Sequence, residues 1–259
     1  MRWGRQLRTI LSLGVGSTDA AVVQRHDNTW LSLEDMKVDW RFRREYRPTY
    51  SFPGDAIDET HRSGFTAVNE TGLIDLGVDG WLLPADAKKL YELEYFGRGD
   101  TLELGTYRGL STGILLAART ASRREGRIHT VEIHEPFSKL AQQVLRGRTN
   151  ANRIRFHVSD ATSFLDACAA ERRKFGFCFV DHSHAYQPMV DTCRRLGHVL
   201  APGAFVLFHD FNDPRNADPS NQDYGVYEAI ADALPKQLFS FFGIFGCSGL
   251  FRYRSAESP

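Results

Sequence analysis

Two kinds of patterning divide the chain. Residues 1 to about 80 hold no sustained helical or strand period, only scattered turn signals such as Pro53-Gly54 and no repeated unit, so they read as an N-terminal extension or cap. From Pro84 the pattern becomes regular. In ADAKKLYELEYF, Ala85 to Phe96, Leu90, Leu93 and Tyr91 or Phe96 recur at helical spacing, and Gly97 and Gly99 then break the run, which predicts a helix with a glycine stop. Beyond it, apolar strand-like runs alternate with helical ones. The strands are expected at Thr101 to Gly105, Arg127 to Ile133, Arg153 to Ser159, Phe175 to Asp181 and Ala204 to Asp210. Helices are expected at Ser111 to Arg123, Pro136 to Arg146, Ala161 to Ala170, Tyr186 to Val199 and Tyr224 to Ala233. This alternation predicts a doubly wound α/β fold with a mostly parallel sheet. The end differs, because LFSFFGIF and GLFRYR face each other across Gly246-Cys247-Ser248-Gly249 with no helix between, which predicts a terminal antiparallel hairpin.

Composition narrows the class. The 259 residues are 42% hydrophobic and 25% charged, with 32 Lys+Arg against 32 Asp+Glu, which is an ordinary globular balance without the basic surplus of a dedicated nucleic-acid binder. The basic run Arg41 to Arg47 reads as a solvated face. No run of about eighteen apolar residues exists to span a membrane. Arg2, Arg5 and Arg8 precede LSLGVG, a stretch too short and polar for a signal peptide. Cys168, Cys178, Cys193 and Cys247 show no CxxC spacing and three lie in apolar or helical runs, so reduced buried thiols and a cytoplasmic location are expected.

In open α/β sheets ligands bind beyond the carboxyl ends of the strands. The first strand runs into a glycine-bearing turn, Gly105-Thr106-Tyr107-Arg108-Gly109, which leads into a helix N-terminus with free N–H groups. Gly105 would allow the tight turn and Gly109 the close approach of a ligand. Glu132, near the end of the second strand, can accept hydrogen bonds from both hydroxyls of a ribose, and Asp160, after the third, can receive an adenine amino group. The spacing Gly105, Gly109, Gly113 is not the GxGxxG that cradles a pyrophosphate. A ligand with adenosine and no phosphates, S-adenosylmethionine, fits better.

LELGTYRGLST followed by HTVEIHE, HVSDATSFL, FVDHSHAY and LAPGAFVLFHD resembles the successive motifs of class I S-adenosylmethionine-dependent methyltransferases, from about Leu102 to Arg254. Within them the chain is most similar to catechol-type O-methyltransferases and to the related bacterial small-molecule group that carries DHS and then HD. The resemblance implies a Rossmann-like sheet of seven strands with the last antiparallel, residues 81–259 as the methyltransferase domain and 1–80 as the extension. It also implies that Glu103, Gly105, Tyr107, Gly109 and Ser111 line the methionine end of the cofactor, that Glu132 holds the ribose, and that Asp160 with Ala161 borders the adenine.

Asp181 ends the fourth strand and His209-Asp210 the fifth, so neighbouring strands would bring two carboxylates and an imidazole together, with open positions for substrate oxygens. The resemblance implies a divalent metal there, magnesium or manganese. His209 departs from the acidic residue of catechol-type enzymes, and imidazole suits iron or zinc better than magnesium. The alternative reading is structural: His209 packs at the strand end and Asp210 caps the next turn. A hydroxyl acceptor needs deprotonation on its way to the methyl group. His184 is the first candidate base, since imidazole titrates near neutrality and it falls where the catechol-type enzymes place a lysine. His182 is second, although the resemblance suggests an adenine contact, and Asp181 would hold the acceptor or the metal.

Asn212 to Asn221 reads equally as a loop over this site or as a plain surface connection. Trp30, Trp40, Tyr46, Tyr50 and Phe52 could form a lid, a dimer contact leading to a homo-oligomer, or ordinary core. The expected activity is methyl transfer to a hydroxyl of a small molecule. The alternatives are an NAD-dependent oxidoreductase, a non-catalytic cofactor-binding subunit and, less well matched, a metal-dependent hydroxylase.

Overall fold

The computed structural model describes residues 67–254, residue 219 excepted. The expectations for Arg2 to Arg8, the basic run Arg41 to Arg47, the Pro53-Gly54 turn and the aromatics from Trp30 to Phe52 lie outside the described residues. Within them the chain runs α1 (Pro84–Phe96), β1 (Asp100–Leu104), α2 (Leu110–Ser122), β2 (Ile128–Glu132), α3 (Glu135–Leu145), β3 (Ile154–Val158), α4 (Ala161–Ala170), β4 (Phe175–Val180), α5 (Tyr186–Leu196), β5 (Leu200–Phe208), α6 (Val226–Ala233), β6 (Phe239–Phe245) and β7 (Ser248–Tyr253). The strands form one sheet in the order β3-β2-β1-β4-β5-β7-β6. Pairing is parallel from β3 through β5, and β7 lies antiparallel between β5 and β6. The doubly wound sheet and the terminal hairpin follow the sequence pattern.

Side-chain alternation along the strands feeds two cores. On β4, Cys178 and Val180 join Leu165, Met189, Cys193 and Ile230 from α4, α5 and α6, while Phe177 and Phe179 join Leu90, Ile114, Leu115 and Ala118 from α1 and α2. Phe175 breaks this parity because the register shifts between Phe175 and Phe177. Gly176 sits in the irregularity, where a Cβ would collide with the Arg98 carbonyl oxygen. Ile74 and Val78 belong to the second core, so its packing begins ahead of α1.

One boundary differs from the sequence expectation for a physical reason. β5 starts at Leu200 rather than Ala204, because Leu200 pairs with Phe175 while Pro202 and Gly203 are absorbed into the shifted part of the ladder. All four cysteines are free, and Cys168, Cys178 and Cys193 are buried, as their apolar surroundings predicted. Among the described residues no helix is long and apolar enough to cross a membrane.

A buried network anchors the start of β1. Arg119 on α2 is fully buried, its Nε donates to Glu94 Oε1 at 2.5 Å and one Nη donates to Thr101 Oγ1 at 2.9 Å. Thr101 in turn donates to Glu94 Oε2 at 2.6 Å. Helix α1, helix α2 and strand β1 are thus tied by charge-assisted bonds inside the core.

Candidate active site at the carboxyl ends of the strands

β1 ends in the turn that positions the first group of residues. Gly105 has φ of +101°, and a Cβ there would collide with the Asp181 carbonyl oxygen, so the ends of β1 and β4 come together only over a glycine. Tyr107 also has positive φ, 46°, and its N–H donates to Glu132 Oε2 at 2.8 Å. The other Glu132 oxygen accepts from His134 N at 2.9 Å. Glu132 therefore fixes two loops and still keeps a lone pair on each oxygen for a ligand. Gly109, at φ +92°, is the N-cap of α2. A Cβ added there would lie 3.1 Å from Ala141 and 3.2 Å from Leu145 of α3, so helix packing rather than a ligand occupies the space expected beside it.

Glu103 is the most telling member of the group. It is fully buried, and Oε2 accepts from Thr112 Oγ1 at 2.5 Å and Thr130 Oγ1 at 2.6 Å. Oε1 is buried with no hydrogen-bond partner. Burial pushes the carboxyl up to about 7, against the pull of the nearby Ser111, Thr112 and Thr130 hydroxyls. A buried acceptor with an empty lone pair calls for a donor, and the ammonium of a bound amino acid would supply one. Asp160 behaves differently, because its Oδ1 takes Thr162 Oγ1 at 2.6 Å and Ser163 N at 2.9 Å as the N-cap of α4, which starts at Ala161. Those bonds hold it down at about 2.

Over the turn, the Tyr107 ring stacks on Trp81 at 5.6 Å and meets Phe137 edge-on at 4.8 Å. Sequence reasoning left Trp81 and Phe137 out. Their placement depends on the segment before α1 and on the start of α3, which local pattern does not bring together.

The second group gathers at the ends of β4 and β5. His184 Nε2 lies 2.9 Å from Asp210 Oδ2 and 3.8 Å from Asp181 Oδ1, and these three residues offer converging ligand atoms for a metal ion. His209 Nδ1 is also close, 3.1 Å from Asp181 Oδ1 and 3.4 Å from Asp210 Oδ2, but without hydrogen-bond geometry. The expected set of Asp181, His209 and Asp210 is therefore brought together, yet His184 is the better placed imidazole: its side chain is 35% exposed against 6% for His209. His209 lies beneath, with Nε2 3.3 Å from Cys247 Sγ.

Electrostatics bind the four groups into two ion pairs. Burial alone would raise Asp181 and Asp210, but His209 foremost, then His184, hold both carboxyls below their ordinary range. Conversely, burial would lower the imidazoles. Asp181 leads the groups that instead raise His209 well above its ordinary value, and the nearby Asp181 and Asp210 carboxylates, the latter accepting from His184 Nε2, lift His184 to about 9. With two carboxylates beside it the His184 ring is held above its ordinary value, which favours the protonated form over the near-neutral base expected of it. His182 turns away from this group. Its Nε2 contacts Thr192 Oγ1 on α5 at 2.9 Å, and burial drops it to about 4.

Two supports escaped the sequence. Tyr224 stacks on His184 at 4.7 Å and 15°, with the Arg215 guanidinium 3.9 Å over its ring, so the loop after β5 does fold over the site. Asp86, in the first turn of α1, accepts from Ser248 Oγ at 2.6 Å, Ser248 N at 3.0 Å and Cys247 N at 3.1 Å, and it stands with His209 and Cys247 in a second cluster of ligand-type atoms. The only local signal was an acid three residues into a helix, where it also accepts from Leu83 N at 3.2 Å as half of a capping box.

Residues 102–211 match the model of a family described as a methyltransferase domain. No curated protein matches the chain. Among solved structures, an O-methyltransferase from Bacillus cereus in complex with S-adenosylhomocysteine is 22% identical with a TM-score of 0.52, covering 67% of this chain and 82% of its own. An O-methyltransferase from Streptomyces achromogenes involved in tomaymycin synthesis, in complex with S-adenosylmethionine, is 17% identical with a TM-score of 0.51, covering 85% and 92%. A putative O-methyltransferase from Klebsiella pneumoniae is 17% identical with a TM-score of 0.52, covering 96% of each chain.

Proposed function

We propose that this chain, which matches a methyltransferase domain over residues 102–211, is a methyltransferase that transfers a methyl group to a hydroxyl of a small molecule. One observation carries the reading: the unpartnered, buried Glu103 oxygen at the end of β1 stands one strand away from the carboxylate–imidazole group at the ends of β4 and β5. The first fits the methionine end of S-adenosylmethionine and the second an acceptor oxygen. When bound, S-adenosylmethionine supplies a methyl group activated by its sulfonium charge.

The chain's own residues bind and orient. Glu103 Oε1 would take the ammonium of the methionine part, Glu132 the ribose hydroxyls, and the start of α4 at Asp160 and Ala161 the adenine edge. Asp181, His184 and Asp210 would hold the acceptor oxygen. As an imidazolium, His184 donates to that oxygen and stabilises it as an anion rather than taking its proton. The same three residues could hold a divalent cation, magnesium or manganese, which would lower the pKa of a bound hydroxyl. Loading it requires His184 to lose its proton, because only neutral imidazole ligates. Support for oxygen as the acceptor atom comes from the O-methyltransferases of like fold.

The test is calorimetric titration of the purified protein with S-adenosylhomocysteine, before and after EDTA treatment, with NAD as control. Micromolar binding of S-adenosylhomocysteine alone is expected, and preference for NAD would overturn the reading. Manganese titration followed by electron paramagnetic resonance should show a bound ion that Asp210→Asn removes. No bound manganese would withdraw the cation and leave the imidazolium reading.

A further inference from the structure

The amino ends of the strands, opposite this site, carry a cavity that this reaction does not use. It has a volume of about 370 Å³ and is lined by Asp100, Gly126, Arg127, Asn152, Arg153 and Arg155. Arg127 precedes β2 and Arg153 precedes β3, so these side chains stand at the amino ends of β1, β2 and β3. Strands of five residues separate them from Gly105 and Glu132, on the order of 15 Å at about 3.3 Å per residue.

Three guanidiniums converge there against one carboxylate, and none of the three forms an ion pair among the described residues. Arg155 donates only to carbonyl oxygens, of Asn152 at 2.7 Å and Ile154 at 3.1 Å, and Arg153 only to the carbonyl of Arg124. The one acid is already engaged: Asp100 Oδ1 accepts from Arg127 N at 2.8 Å, and Oδ2 lies 3.4 Å from His129 Nε2. Gly126, at φ +97°, lets its backbone pack against Arg119 Nη1 and the Gly99 carbonyl, which a Cβ would approach to 2.6 and 2.8 Å.

We propose that this cavity binds a small oligophosphate, a pyrophosphate or phosphate ester, at a site separate from methyl transfer. The planar guanidinium fork matches phosphate oxygens two at a time, and three such forks suit more than one phosphoryl group. Asn152 adds an amide to the lining. No aromatic or aliphatic side chain lines the cavity, so recognition falls on the charged oxygens rather than on a base or a hydrocarbon tail.

The experiment is calorimetric titration of the full chain with pyrophosphate at constant ionic strength, with citrate as a polycarboxylate control. The same titration is run on Arg127→Gln and Arg155→Gln after their melting curves are checked. Arg127 is exposed and has no side-chain partner among the described residues, so its variant keeps the fold if the other loses it. Saturable 1:1 binding, weakened at least tenfold in Arg127→Gln and little reproduced by citrate, is the expected result. Absence of saturable binding, equal binding of citrate, or unchanged affinity in Arg127→Gln would overturn the site. S-adenosylhomocysteine titrated into the same samples should bind alike in all of them, so failure of the methyltransferase reading is seen separately.

Discussion

Replacing Glu103 by glutamine should stabilise the ligand-free protein and weaken its hold on S-adenosylhomocysteine, two effects of opposite sign from one exchange. Glu103 is fully buried, and burial lifts its carboxyl from 4.5 to about 7. The unfolded chain releases that proton near pH 4.5 while the folded chain keeps it, so the folded state is progressively penalised as the pH rises from 4.5 through 7. At roughly 1.4 kcal/mol per unit, the penalty at pH 8 approaches about 3 kcal/mol. A neutral glutamine escapes it, and because the hydroxyl bonds are already counted in the value of about 7, the gain is about 3 kcal/mol at pH 8 and less than about 1 kcal/mol at pH 5. Urea unfolding of both proteins at the two pH values isolates this difference, because every other titrating group cancels between them. The ammonium of the ligand, meanwhile, loses its charged partner, an effect of about 1.5–3 kcal/mol, or roughly tenfold to a hundredfold in affinity. A variant that is no more stable at pH 8, or one that binds S-adenosylhomocysteine as tightly as the parent, would refute the reasoning about the empty lone pair.

Glu132→Ala should weaken S-adenosylhomocysteine binding by about 1–3 kcal/mol in calorimetry, since it removes a ribose acceptor and frees the backbone of Tyr107 and His134; unchanged affinity would take Glu132 out of the site. Arg119→Met leaves the buried Glu94 carboxylate with only Arg124 and Thr101 as partners and should lower unfolding free energy by at most about 3–5 kcal/mol, read from urea midpoints, whereas a loss below about 1 kcal/mol would mean that Arg124 compensates fully. His129 is held down at about 4 by burial and by Arg173 and His157, against the pull of Asp100, while the unfolded chain protonates it near 6.5. Stability should therefore fall as the pH drops from 6.5 to 4, by at most about 3 kcal/mol from this residue, and His129→Gln should flatten that slope in the same unfolding series.

Features that are local and ordered along the chain were legible before any fold was known. The 2.0 and 3.6 periods marked the strands and helices of the regular region, and the glycines after β1 marked its turn. The hairpin at Gly246 to Gly249 marked the antiparallel end, and the order of the glycine turn, Glu132 and Asp160 at successive strand ends pointed to a ligand with adenosine and no phosphates. These follow because backbone preference and side-chain alternation act over a few residues. What each group does once it is placed came from packing between distant segments. His182 and His184 differ by two positions, yet one turns into α5 against Thr192 and the other to Asp210, which separates their titration to about 4 and about 9. The ring of His184 rather than of the deeper His209 converges with Asp181 and Asp210 in a group of ligand-type atoms, Asp86 reaches Ser248 across 162 positions, and one oxygen of Glu103 is left without a partner. Proton affinity and ligand geometry are set by desolvation and by charges a few ångströms away, and those neighbours come from distant parts of the chain.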